Sequence, residues 1–184
     1  VADARLSVYP VTPDLEVPVK QSVYTLSELV GRNGHDLDLT PFVGGHLLVF
    51  RLGVDDYHRY VFPDSGQLRQ RYFLPGELHT VRPVSERYRV FARNARSVSV
   101  LDTDHFGPML QIAVGAMLVG HIVETPMEHV RFDALQEKGY FEFGGSTILL
   151  VTGPGIEIDV DLIEATKRGD EVKVRLGEPV GTRT

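Results

Sequence analysis

The apolar residues of this chain come in short runs, many of them β-branched or aromatic, and each run is broken by Gly, Pro or Asp. Such punctuation leaves little room for long helices and favours many short strands. Strands are expected over 5–11, 15–20, 46–52, 58–62, 67–74, 77–82, 88–92, 97–102, 110–123, 148–151, 156–159 and 171–176. Two short helices interrupt them. One starts at Thr25, where Thr25 and Glu28 have the spacing of a capping box. The other runs over 159–168 and stops before Gly169, as helix C-termini often do. Many short strands with two short helices imply a mainly β fold, a barrel or sandwich. A length of 184 residues with neither repeat nor linker implies one domain over 1–184.

Charge and composition narrow the function classes. The net charge is −6 and the Lys and Arg residues are scattered, so a basic stripe for nucleic acid is missing. No stretch reaches the roughly 18–20 apolar residues of a membrane-spanning helix. The absence of cysteine excludes disulfides, thiolate zinc sites and a cysteine nucleophile, and suits a cytoplasmic location. The chain begins at Val1 rather than Met, which implies an upstream segment. Membrane association is expected only through such a segment. His35, His46, His79, His105, His121 and His129 show no metal-ligand spacing, so no metal is expected. Neither a P-loop nor a dinucleotide fingerprint is present.

Three segments carry candidate chemistry. Gly144-Gly145-Ser146-Thr147 lies between apolar stretches. It reads either as a glycine turn between strands or as a close backbone approach that lets Ser146 attack the carbonyl before it. His58 lies among acids at the start of an expected strand. It reads either as a hydrogen-bonded surface residue or as a proton carrier with a near-neutral pKa. Alternation would put His58 and Tyr60 on one face and Arg59 and Val61 on the other. Asp3 and Arg5, near the start, read alone as a solvated pair.

Taken in order, the segments resemble the phosphatidylserine decarboxylase family. The carriers are Val1-Ala2-Asp3-Ala4-Arg5, Tyr24-Thr25-Leu26-Ser27-Glu28-Leu29, Asp56-Tyr57-His58-Arg59, Phe91-Ala92-Arg93-Asn94, Phe106-Gly107-Pro108-Met109, Val114-Gly115-Ala116, and the run from Lys138 to Thr147. The resemblance implies a lyase of phospholipid biosynthesis made as a zymogen. In it Ser146 attacks the carbonyl of Gly145 and forms an ester, elimination breaks the chain there, and the serine becomes a pyruvoyl cofactor. That pyruvoyl takes the substrate amine as a Schiff base and serves as electron sink while CO2 leaves. The resemblance makes His58 the proton donor and Asp3 the acid of the self-cleaving Asp-His-Ser set. It implies a phospholipid or small amino-acid substrate, and a homodimer.

One position departs from the family. The pattern Asp-Tyr-His-Arg-x-His-x-Pro has a second histidine, and this chain has Val61 there. Valine cannot accept the serine proton. Two classes follow. In one, another group replaces the base, His58 first, with His46 and His79 behind it. In the other, the chain stays unprocessed, either non-catalytic or using Ser146, His58 and Asp3 for different small-molecule chemistry.

Overall fold

The computed structural model describes residues 1–19, 22–31, 37–76, 89–115, 121–127, 130–142 and 146–183. Along these run β1 (Ala4–Pro10), β2 (Glu16–Val19), β3 (Ser22–Thr25), α1 (Leu26–Val30), a 3-10 turn (Thr40–Phe42), β4 (His46–Leu52), β5 (Arg59–Val61) and β6 (Gly66–Leu74). There follow α2 (Val90–Arg93), β7 (Arg96–Thr103), β8 (Gly107–Val114), β9 (Ile122–Glu124), β10 (Arg131–Phe132), β11 (Glu137–Phe141) and β12 (Ser146–Thr152). The chain closes with β13 (Ile156–Ile158), α3 (Val160–Lys167), β14 (Val172–Val174) and β15 (Gly181–Arg183).

Eight strands form one antiparallel sheet in the order β10-β6-β7-β8-β12-β4-β1-β14. Successive residues of its central strands enter two different cores. Leu47, Val49, Ile112, Leu149 and Val151 meet Tyr24, Leu26, Leu29 and Phe91 on the side of α1 and α2. Leu48, Phe50, Leu52, Ala113, Ile148 and Leu150 meet Tyr60, Phe62, Phe141 and Ile156 on the other. Both faces are covered, which is why β4 and β12 read as unbroken apolar runs. Each of these fully buried aliphatic side chains contributes about 2 kcal/mol. The second layer over the β12 face is a three-stranded sheet, β5-β11-β9, beside the pair β13-β15. The fold is thus mainly β and sandwich-like, with open sheets rather than a closed barrel among the described residues. No described helix is long and apolar enough to cross a membrane.

Both expected helices form. Thr25 caps α1 in a full capping box with Glu28. Asp159 caps α3, and Gly169 follows that helix at φ +87°. Three expectations need correction. The stretch 88–92 is not a strand: Val90–Arg93 forms the one-turn helix α2. The buried Arg96 guanidinium favours it, donating to the carbonyls of Ala92 and Asn94 and, across to α1, of Glu28 and Leu29. The stretch 110–123 is not one strand. β8 ends at Val114, Gly115 is held by Ala95 O and Asn94 Nδ2, and β9 belongs to a different sheet. A strand missing from the expectations, β11, carries Glu137, Lys138 and Gly139 and pairs with β5 and β9. The expected strand at 77–82 lies outside the described residues.

Gly139 is where β5, β9 and β11 press closest. A Cβ there would run into the Val123 carbonyl and lie 2.7 Å from the Tyr60 hydroxyl. Gly139→Ala is expected to lower the unfolding free energy by about 2–3 kcal/mol in chemical denaturation. A loss below about 0.5 kcal/mol, the range of ordinary surface substitutions, would contradict this packing.

Candidate active site at one end of the large sheet

Ser146 opens β12 directly opposite Leu52, the last residue of β4. It is fully buried, and its Oγ has no hydrogen-bond partner among the described residues. β1 pairs with the other edge of β4 and begins at Ala4, one residue before the Arg5–Arg51 pairing. The starts of β1 and β12 therefore flank the end of β4, about 10 Å apart at two strand spacings. Asp3, just before β1, reaches the same end of the sheet. Its Oδ1 accepts the Leu176 N–H at 2.7 Å, which ties the start of the chain to the segment after β14.

The turn after β4 brings in His58. Asp56 accepts the Gly53 N–H on Oδ2 at 2.7 Å and returns its own N–H to the Gly53 carbonyl. The acid of Asp-Tyr-His-Arg therefore builds the turn. The chain then doubles back into β5, and the His58 carbonyl accepts the Phe141 N–H at 3.0 Å. Both His58 ring nitrogens are buried and without a partner among the described residues. The Ser99 and Thr147 hydroxyls are also buried and unpaired among the described residues, so what distinguishes Ser146 and His58 is their chemistry: a hydroxyl able to act as nucleophile and an imidazole able to carry a proton. Gly144 and Gly145 lie outside the described residues, so the bond before Ser146 does too.

The β5 ladder is locked on both faces. Outward, Arg59 donates to Glu137 at 2.6 Å and lies 5.0 Å over the Tyr140 ring. Inward, Tyr60 is fully buried, with its ring 5.1 Å from that of Phe141. Val61 is buried as well, and the chain uses its backbone. Its N–H donates to Val1 O at 3.0 Å, and its carbonyl accepts Gln111 Nε2 at 2.9 Å. The expected alternation holds for Arg59 against Tyr60. Val61, expected on the Arg59 face, is buried, whereas Arg59 is half-exposed.

Other histidines separate from the site. His46 is corrected as a replacement base: it starts β4, while Ser146 pairs with the far end at Leu52, about 20 Å along the strand. Burial pushes the His46 imidazole pKa down, yet it stands beside Thr152, not Ser146. His79, the other reserve candidate, lies outside the described residues. His105 pairs with Asp64, and His121 with Glu142. No group of three or more His, Asp or Glu side chains gathers to hold a metal among the described residues.

Sequence reasoning missed three features. Gln111 is a fully buried amide in an apolar strand, with no positional signal to betray its hold on β5. Lys138 is a fully buried cation whose Nζ lies 3.0 Å from both carboxylate oxygens of Glu124. An apolar cavity of about 230 Å³ opens on the same sheet face as Ser146, lined by Leu48, Phe50, Phe62, Met109, Leu150 and Ile156 among others.

Comparison with known proteins identifies the family. The proenzyme 2 of phosphatidylserine decarboxylase from Clostridium acetobutylicum is 46% identical over 182 residues, covering 98% of this chain and 61% of that protein. The phosphatidylserine decarboxylase proenzymes of Ruminiclostridium cellulolyticum and Clostridium beijerinckii are 40% and 38% identical, covering 97% and 98% of this chain and 60% and 62% of theirs. The chain spans about three fifths of the length of these curated relatives. The phosphatidylserine decarboxylase family model matches residues 1–182, from Asp3 through His58 to Ser146 and on through β14, and the chain belongs to that family.

Proposed function

We propose that the protein containing this chain is a self-processing decarboxylase of a serine-type phospholipid. The observation that carries the proposal is the buried, unpaired Ser146 hydroxyl at the sheet end that also receives Asp3 and His58. In this reading Ser146 Oγ attacks the Gly145 carbonyl carbon. The Gly145–Ser146 amide is exchanged for an ester, β-elimination opens the Cβ–O bond to leave a Gly145 carboxylate and a dehydroalanine at 146, and water hydrolyses the dehydroalanine to the pyruvoyl with release of ammonia. A serine side chain in an enclosed, dry position fits this conversion. Once formed, the pyruvoyl group supplies an electrophilic carbonyl that captures the substrate amine and draws electrons away as CO2 leaves. His58 then returns a proton to the carbon that lost CO2, which its buried, unengaged ring nitrogens favour. Asp3 contributes negative charge beside the Ser146 end.

The apolar cavity favours a lipid over a free amino acid. It is reached along β12 at Leu150 and Thr152, four and six residues beyond Ser146. That is about 13–20 Å at strand rise. A substrate with a polar amine at Ser146 and an apolar tail at that distance fits both. Anchoring at a membrane surface would then bring the lipid to the site.

Val61 supports one rival reading, an unprocessed relative. Mass spectrometry of the purified full-length protein separates the two. Two chains are expected, the shorter beginning with pyruvoyl at position 146. One intact mass, unchanged on long incubation, would overturn self-processing.

Two substitutions test the residues. His58→Ala removes both the proton donor and the first candidate for the base missing at position 61, so it is expected to slow Gly145–Ser146 cleavage and, in the processed protein, to slow CO2 release by about 100-fold or more. Full turnover in that variant would remove His58 from the mechanism. Val61→His is expected to speed Gly145–Ser146 cleavage, followed as the appearance of the shorter chain with time. Cleavage no faster than in the parent chain would show that the base is supplied elsewhere than position 61.

A further inference from the structure

Lys138 has no part in the chemistry above, and stability does not account for it. Taking an ammonium fully out of water costs several kcal/mol, and a buried ion pair is often no better than apolar residues of the same volume. Burial pushes the Lys138 pKa down, and the Glu124 carboxylate opposes that shift. The pair exists because the β5–β11 register slips between Glu137 and Gly139. Glu137 faces Val61 and Gly139 faces Tyr60, so Lys138 is the extra residue of a β-bulge. Bulges re-aim a side chain, and they concentrate next to functional sites. Here the bulge turns a lysine inward under the strand that follows His58.

Its surroundings form a continuous chain of contacts. Glu124 on β9 takes both bonds from Lys138 Nζ and faces Arg71 of β6 at 3.5 Å, which fastens the small sheet to the large one. The Lys138 ammonium lies 5.4 Å from the Tyr60 ring centre and 5.9 Å from that of Phe62, within cation–π range. Burial and then the Glu124 charge push the Tyr60 pKa up. Tyr60 packs on Phe141, and the Phe141 N–H holds the His58 carbonyl.

We propose that Lys138 is a positioning residue: its ammonium, held by Glu124, clamps the Tyr60 face of β5 and so fixes where His58 is delivered beside Ser146. The proposal rests on the role given to His58 above. The groups facing the ammonium are Glu124 from β9, Arg71 from β6 and Tyr60 from β5. The clamp needs the charged form of Lys138. As pH rises through its lowered pKa the clamp releases, and an alkaline loss of kcat follows.

The test uses the full-length protein with Lys138→Met, Lys138→Arg and the double variant Lys138→Met/Glu124→Gln. Hydrogen exchange at the Phe141 amide reads the clamp directly. In Lys138→Met it is expected to quicken by about tenfold, with the Leu149 amide in the β4–β12 ladder unchanged. In decarboxylation, kcat is expected to fall by about 100-fold with KM within about twofold, the loss typical of a small misplacement. Lys138→Arg, which stays charged, is expected to recover most of kcat and to lose the alkaline limb. Wild-type protection at Phe141 in Lys138→Met would overturn the proposal. If Lys138→Met fails to fold, the double variant leaves no unpaired carboxylate. Wild-type Phe141 protection and kcat in a folded double variant would make the pair merely structural and equally overturn it. Should the parent protein neither cleave nor release CO2, the function reading fails, and the Phe141 exchange still decides on Lys138.

Discussion

The pairing of β12 with β4, from Ser146–Leu52 to Val151–Leu47, is the constraint on which the rest depends. Side chains alternate along a strand, so a slip of one residue would send Ile148 and Leu150 to the α1 side and Leu149 and Val151 to the other. Both cores would lose their fit at once. The same register turns Ser146 toward the β5-β11-β9 layer and Thr147 away from it. A hydroxyl at the head of a strand is thereby held in place by apolar residues two and four positions further on. Among the described residues, the placement of Ser146 comes from the core rather than from hydrogen bonds of its own side chain.

The central strands and both capped helices were legible because their signals are local. Apolar runs gave β4 to the residue and β7 to within one residue at each end, while of β12 they gave only 148–151, without Ser146 and Thr147 at its start or Thr152 at its end. Thr25 with Glu28, and Asp159 with Gly169, are short-range chemistry that survives any tertiary context. What stayed hidden is long-range. Val90–Arg93 became helical where a distant guanidinium, Arg96, could satisfy its carbonyls. β11 was invisible because Glu137, Lys138 and Gly139 look like a turn, and only a bulge against β5 makes a strand of them. Propensity speaks for a residue's own backbone, not for the partner that will complete it.

The site divides along the same line. Asp3, His58 and Ser146 were recognisable as an ordered set of motifs, spread over 144 positions of chain and silent one by one. That the elements carrying them end on one side of the large sheet is a property of the ladder β1–β4–β12 and of the Asp56-tied turn. Of the residues that hold β5, Gln111 carries no motif, and Lys138, though it opens the run to Thr147, gives no sign there of its burial, since any sequence position can supply one buried hydrogen bond or one buried charge. His46 shows the converse. It has a suitable side chain, and the register puts it at the wrong end of β4.

At position 61 the strand β5 is held without help from the side chain. β5 is bound to the fold there by two backbone atoms, the N–H to Val1 and the carbonyl to Gln111. Neither bond depends on the side chain. Tyr60 on one side is clamped by Lys138, and Arg59 on the other by Glu137, so the strand keeps its course whatever residue 61 carries. Valine adds buried apolar surface at no cost to these contacts. The side chain at position 61 can therefore change without altering the backbone contacts that hold β5 beside the large sheet.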